Sequence, residues 1–105
     1  MSFEPIHFHR LAAREFRKAR LWYYKKSATA AKKFVLAVDR ALQRIIDHPE
    51  RLPKMEKGFQ YVRVNRFPYK IIFEKQPTAE YDYIIFAVYH TSRRPGYWRK
   101  RPGIE

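Results

Sequence analysis

Tyr61-Val-Arg-Val-Asn-Arg66-Phe-Pro-Tyr-Lys70-Ile-Ile-Phe73, followed after a polar break by Tyr81-Asp-Tyr-Ile-Ile-Phe86-Ala-Val-Tyr-His90, is the stretch that sets the architecture. It holds three runs rich in β-branched and aromatic residues, separated by turn residues. That pattern predicts an antiparallel meander with strands over 59–66, 69–75 and 81–90 and turns at Phe67-Pro68 and 76–80. Side chains alternate across a strand, so Val62 and Val64 share one face while Tyr61, Arg63 and Asn65 share the other. With the valines under a covering layer, Tyr61 and Arg63 line the open face, and Lys70 joins them from the neighbouring strand if the register brings it across. A basic, aromatic tail, Thr91 to Arg101, starts where the last run stops and should gather Arg93, Arg94, Tyr97 and Trp98 at one end of the sheet.

The first sixty residues read as the covering layer. Ile6 and Phe8 alternate with His7 and His9, which predicts a short strand over 4–9 with Pro5 at its start or on an edge. From Leu11 the period lengthens: Ala12, Glu15, Phe16, Ala19, Trp22 and Tyr23 recur at steps of three and four, an amphipathic helix over 10–26. Ser27 suits the junction, since its hydroxyl can cap the free amides of a second helix. That helix carries Ala31, Phe34, Val35, Val38, Leu42, Ile45 and Ile46 and should end near Asp47-His48, because Pro49 disfavours helix in the residue before it. Residues 48–58 make a long loop with two prolines and a terminal glycine. The expected fold is α+β in the order β-α-α-β-β-β. An α-helical hairpin packs on one face of a small, mostly antiparallel sheet, with one domain over 1–105.

Composition narrows the function classes. The chain has 105 residues, room for one domain and one core. It has no cysteine, which excludes disulfides and thiolate metal sites and suits a reducing cytoplasm. No N-terminal stretch resembles a signal peptide, and the longest apolar run falls far short of the roughly 20 residues a membrane helix needs. The expectation is a soluble, cytoplasmic protein with no membrane partner. A net charge of +13 on so small a body implies attraction to polyanions: nucleic acid, ribosome, an acidic protein or an anionic membrane surface. The cations are spread over helices, strands and tail, which predicts a basic folded surface rather than a disordered arm.

Familiar catalytic arrangements are missing. His7, His9, His48 and His90 are scattered without a carboxylate cluster, so no metal is expected, and His7 and His9 read as a surface pair. Three glycines form no phosphate-binding loop, so no cofactor is expected. What remains is Arg, Lys, His and Tyr, which can hold a phosphodiester and stabilise charge developing on its oxygens. His90 is the natural proton carrier near neutral pH, and Tyr97 could shuttle a proton if neighbouring cations lower its pKa. Aromatics beside cations also make stacking platforms for single-stranded bases. Equally, Tyr97 and Trp98 could fold the tail over the sheet edge, and Arg93, Arg94, Arg99 and Arg101 could dock an acidic partner. By residue type alone, a metal-free nuclease and a basic binding module are not separated.

The sequence resembles the RelE/ParE superfamily of toxins from bacterial type II toxin–antitoxin modules, over nearly its whole length. The resemblance is carried by Trp22-Tyr23, by Pro49 and Pro53, and by Arg66-Phe67-Pro68-Tyr69-Lys70-Ile71-Ile72-Phe73. Ala87-Val88-Tyr89-His90 followed by Arg93, Pro95, Tyr97, Trp98 and Arg101 completes it. It implies a toxin silenced by a cognate antitoxin, usually an acidic segment that wraps around it. It also implies one of two targets: RelE-like members cut messenger RNA on the ribosome without metal, whereas ParE-like members poison DNA gyrase through protein contacts. Mapped onto this chain, the RelE-like site would use Arg63 at a catalytic lysine position, Lys70 on the phosphate and Tyr97 on the base. His90 or Arg93 would stand in for a tail arginine whose position is Thr91, and Tyr61 replaces a lysine. Tyr61, Arg94, Trp98, Arg99 and Arg101 are the further binding candidates. The changed positions, with the Phe67-Pro68-Tyr69 and His90-x-x-Arg93-x-Pro95-x-Tyr97-Trp98 patterns, favour a ParE-like toxin. A metal-independent endoribonuclease and a non-toxic basic binding module on the same fold are the alternatives.

Overall fold

The computed structural model describes residues 2–3, 5–75 and 82–101. Strands β1 (Ser2–Phe3) and β2 (Ile6–Phe8) are followed by helices α1 (Arg10–Lys26) and α2 (Ala28–Asp47), then by β3 (Phe59–Val64), β4 (Tyr69–Lys75) and β5 (Tyr83–His90). They form one mixed sheet in the order β1-β2-β5-β4-β3. β3, β4 and β5 make the expected antiparallel meander, whereas β2 runs parallel to β5, with Ile6 opposite Tyr83 and Phe8 opposite Ile85. The architecture is the predicted α+β one, with differences at its edges. The first strand is two short strands around Pro5, whose carbonyl accepts from the Asp82 amide (3.0 Å). The turn expected over 76–80, and residues 4 and 81 of the expected strands, lie outside the described residues. Among the described residues, no helix is long and apolar enough to cross a membrane.

The helices begin and end for local reasons. His9 is not a surface residue, as the alternation suggested. It is buried at the head of α1, where its Nδ1 accepts from the Leu11 amide (3.1 Å). Ser27 alone joins the helices: its amide donates to the Tyr23 carbonyl, closing α1, and its Oγ accepts from the Ala30 amide (2.9 Å), opening α2. A cap of this kind contributes about 1 kcal/mol. The hairpin lays Ala12, Phe16, Ala19, Phe34, Val38, Leu42 and Ile45 against Val62, Val64, Ile71, Phe73, Ile85 and Val88. Phe34 is fully buried at the centre of an aromatic cluster, with Phe16, Tyr23, Phe67 and Tyr69 all at ring-centroid distances of 5.0–5.9 Å.

The opposite face of the sheet is covered too. Trp98, only 1% exposed, lies in a second core with Ile72, Ile84, Phe86, Ala87 and Tyr89, flanked by Met55, Phe59, Tyr61 and Tyr97. The tail therefore folds back over the face that alternation left open. A register shift between Ile72 and Phe73 leaves Phe86 without a partner on β4, so both Phe86 and Ala87 turn toward this second core.

β3 ends two residues before the predicted boundary. Arg66 adopts φ 70°, the left-handed region, so Asn65 to Pro68 form the turn. The outer edge of β3 is partly sealed. The Phe59 carbonyl accepts from Met55, the Tyr61 amide donates to Pro53, and the Arg63 carbonyl accepts from the Arg44 guanidinium. Gln60 pins the same loop through the carbonyls of Pro49 (2.9 Å) and Leu52 (3.3 Å). The long loop thus shields a sheet edge that would otherwise be open to another strand.

Candidate functional site

Where β2 gives way to α1, the β5 edge loses its neighbour, and its backbone groups need other partners. Glu15 and Arg101 supply them. Glu15 points from α1 toward this edge, where its Oε1 accepts from the Val88 amide (3.0 Å). Arg101 returns from the tail to donate to the Phe86 carbonyl (2.5 Å) and to both Glu15 oxygens (3.0 and 2.8 Å). Tyr97 donates its hydroxyl to Glu15 Oε2 (2.5 Å), and Arg93 reaches the same oxygen (3.1 Å). The Arg93 guanidinium also lies over the Tyr97 ring, 3.8 Å from its centroid. Gly96, at φ 82°, makes the left-handed turn that brings Tyr97 and Trp98 back to the sheet.

This network reverses an expectation about Tyr97. Burial, then the hydrogen bond and charge of Glu15, push its hydroxyl well above the ordinary value of 10.0; Arg93 and Arg101 pull the other way and are outweighed. The neutral phenol is therefore the form the fold holds. Its stabilisation is complete below the unfolded pKa near 10 and is lost as pH rises through the higher folded value. Burial raises Tyr23, Tyr69 and Tyr83 as well. Stability should consequently fall above about pH 10. In urea midpoints measured against pH, Tyr97→Phe should show a shallower alkaline decline than the parent; equal slopes would contradict the assignment.

The other candidates divide between the two faces. Arg63 stands opposite Lys70, which stands opposite Tyr89, on the face covered by the tail. The Lys70 ammonium lies over the Tyr61 ring at 4.5 Å, and Arg63 is exposed. His90 stands opposite Tyr69 on the helix-covered face, with the two ring centroids 5.0 Å apart. Its Nδ1 meets the Ser92 amide (3.1 Å) and hydroxyl (2.7 Å). Arg93 and His90 border a cleft of about 430 Å³ between α1 and the ends of β4 and β5, walled by Trp22, Tyr23, Pro68 and Tyr69. Arg94 and Arg99 are exposed, with Arg99 5.6 Å over the Trp98 ring. Trp98 itself is buried, and among the described residues its indole nitrogen has no hydrogen-bond partner. The sheet end therefore gathers Arg93, Tyr97 and Arg101 around Glu15. It does not gather Arg63, Lys70 and His90 on one surface.

Sequence reasoning passed over Glu15. Its signal was a carboxylate on the apolar stripe of α1, a position that requires a partner once buried. Among the described residues, no group of three or more His, Asp or Glu could hold a metal ion.

The family described as "ParE toxin of type II toxin-antitoxin system, parDE" matches residues 6–95. No curated protein and no solved structure matches the chain. The matched span runs from the start of β2 through the meander to Pro95, and so includes Glu15, the cleft and the strand edge that the tail closes. With most of its length covered by that one family, the chain belongs to the ParE toxins of type II toxin–antitoxin systems.

Proposed function

We propose that this toxin arrests growth in the ParE manner, by gripping DNA gyrase through protein contacts in the cytoplasm, and that a cognate acidic antitoxin silences it. The observation that carries the reading is the engagement of Arg93, Tyr97 and Arg101 by a single internal carboxylate. Metal-free RNA cleavage needs cations on the scissile phosphate and groups ready to exchange protons. Here Arg93 and Arg101 of the tail face Glu15, the Tyr97 proton is held more tightly than usual, and His90 lies on the opposite face from Arg63 and Lys70. The surface also suits protein partners. Leu21, Trp22, Tyr24 and Leu36 are about half exposed on the hairpin, and a groove containing Tyr24, Val35 and Leu36 is flanked by Arg20 and Lys32. An apolar strip set among cations fits an acidic amphipathic segment.

Induced alone, the chain should halt growth and provoke the DNA-damage response, and co-expression of an adjacent acidic reading frame should restore growth. Purified toxin should block gyrase supercoiling and leave ribosome-bound messenger RNA intact. Ribosome-dependent breaks that vanish in Arg63→Ala, with supercoiling unaffected, would reverse the assignment to the endoribonuclease reading. Normal growth under verified strong expression would leave a binding module.

A further inference from the structure

Glu15 is only 13% exposed, yet its two oxygens take hydrogen bonds from a backbone amide, a phenol and two guanidinium groups. Arg101 grips it in the two-pronged manner that guanidinium uses for carboxylate and phosphate alike. Every one of those donors comes from β5 or the tail; Glu15 alone comes from α1. Seen from the donors, the arrangement is a cage for an oxyanion: two cations, one O–H and one N–H converging on two oxygens. The sheet edge and the Trp98 core hold most of this cage without help from Glu15. Trp98 is clamped under the tail between Tyr89 and Tyr97, with ring centroids 5.3 and 5.7 Å away.

We infer that β5 and the tail form a phosphate-binding site in which Glu15 is the resident anion, closing it to phosphate from outside. This deepens the reading above and rests on it in one respect: a toxin that works by protein contact has no use for an open phosphate site at this rim. A carboxylate on the buried stripe of a helix is costly unless paired, and closing the cage gives it a role as well as a set of partners. Glu15 thereby decides whether the end of the sheet can hold a phosphodiester.

The test compares the full chain with Glu15→Ala, which empties the cage, and Glu15→Gln, which fills it with a neutral group of the same shape. Thermal unfolding is followed in inorganic phosphate and in sodium chloride of equal ionic strength, and the response of the parent is subtracted to remove general salt effects. In Glu15→Ala, about 50 mM phosphate should raise Tm by roughly 5 °C more than in the parent, as a ligand bound only by the folded state must. Glu15→Gln should show no such gain. In the parent, Arg101 side-chain NMR signals should not move with phosphate. Three results would each overturn the proposal: a phosphate response of Glu15→Ala equal to that of the parent, an alanine variant that phosphate does not restore to the folded state, or shifting Arg101 signals in the parent. None of these depends on gyrase or ribosome assays, so failure of the closed site and failure of the proposed target are told apart.

Discussion

Phe34→Ala is expected to destabilise the fold by about 3–5 kcal/mol, the range for emptying a buried aromatic site. Phe34 is fully buried and meets four aromatic rings from three different parts of the chain. Phe16 and Tyr23 belong to α1, Phe67 to the turn before β4, and Tyr69 to β4 itself. Removing the ring deletes its own buried surface and loosens four packed pairs, each worth about 0.5–1.5 kcal/mol beyond area burial. The cavity cannot be filled cheaply, because the neighbouring rings are themselves held by other contacts. Urea unfolding should show a lower midpoint with an unchanged slope, which marks a loss of stability rather than a change of unfolded state. Leu36→Ala, at an exposed site on the same helix, is the control and should stay within about 0.5 kcal/mol of the parent. A small loss at Phe34 would mean that the hairpin is not fastened to the turn in the way described.

Arg101→Ala should cost about 3 kcal/mol. Its side chain is 10% exposed and is hydrogen-bonded to both Glu15 oxygens and to the Phe86 carbonyl. Truncation leaves a half-satisfied carboxylate and an unpaired carbonyl at the strand edge. Breaking a buried pair costs about 3–5 kcal/mol. The low end applies because Arg93, half exposed, still faces Glu15. Replacement by lysine should recover only part of the loss, since an ammonium cannot span two carboxylate oxygens and a carbonyl in one plane. Full recovery by lysine would show that charge alone matters there. Urea midpoints decide between the two, and loss of order around Trp98 should appear as a red shift in tryptophan fluorescence.

Much of this architecture can be read from the linear pattern, and what cannot has identifiable causes. α1 runs from Arg10 to Lys26 and α2 stops at Asp47, as the apolar period, Ser27 and Pro49 predict. These signals are local. The strand limits were harder, because Arg66 takes a left-handed conformation with no glycine to announce it, and Phe86 is an extra residue hidden inside a continuous apolar run. His9 alternates like a surface residue, yet a helix start directly beneath β5 buries it as a cap. The candidate site was only half legible. The tail aromatics and arginines were visible as a cluster, but nothing near Tyr97 in sequence says that its hydroxyl meets Glu15. Alternation put Tyr61 and Arg63 on one face and left Lys70 to the register, which sets it opposite Arg63. It could not show that His90 faces the helices, since that depends on the register between β4 and β5.

The parallel pairing of β2 with β5 joins the two ends of the chain, and the Arg101–Glu15 bond links residues 86 positions apart. Contacts of such long range form late, because the loop between them must close before they give anything back. A ribosome making this chain therefore releases its helical hairpin long before β5 and the tail exist. Until β5 and the tail emerge, the inner face of the hairpin has at most the β3–β4 pair to lie on, and the Glu15 carboxylate lacks the donors that β5 and the tail supply. The toxin's rim is thus complete only after β5 and the tail have been made, and a chain cut short before the tail would never assemble it.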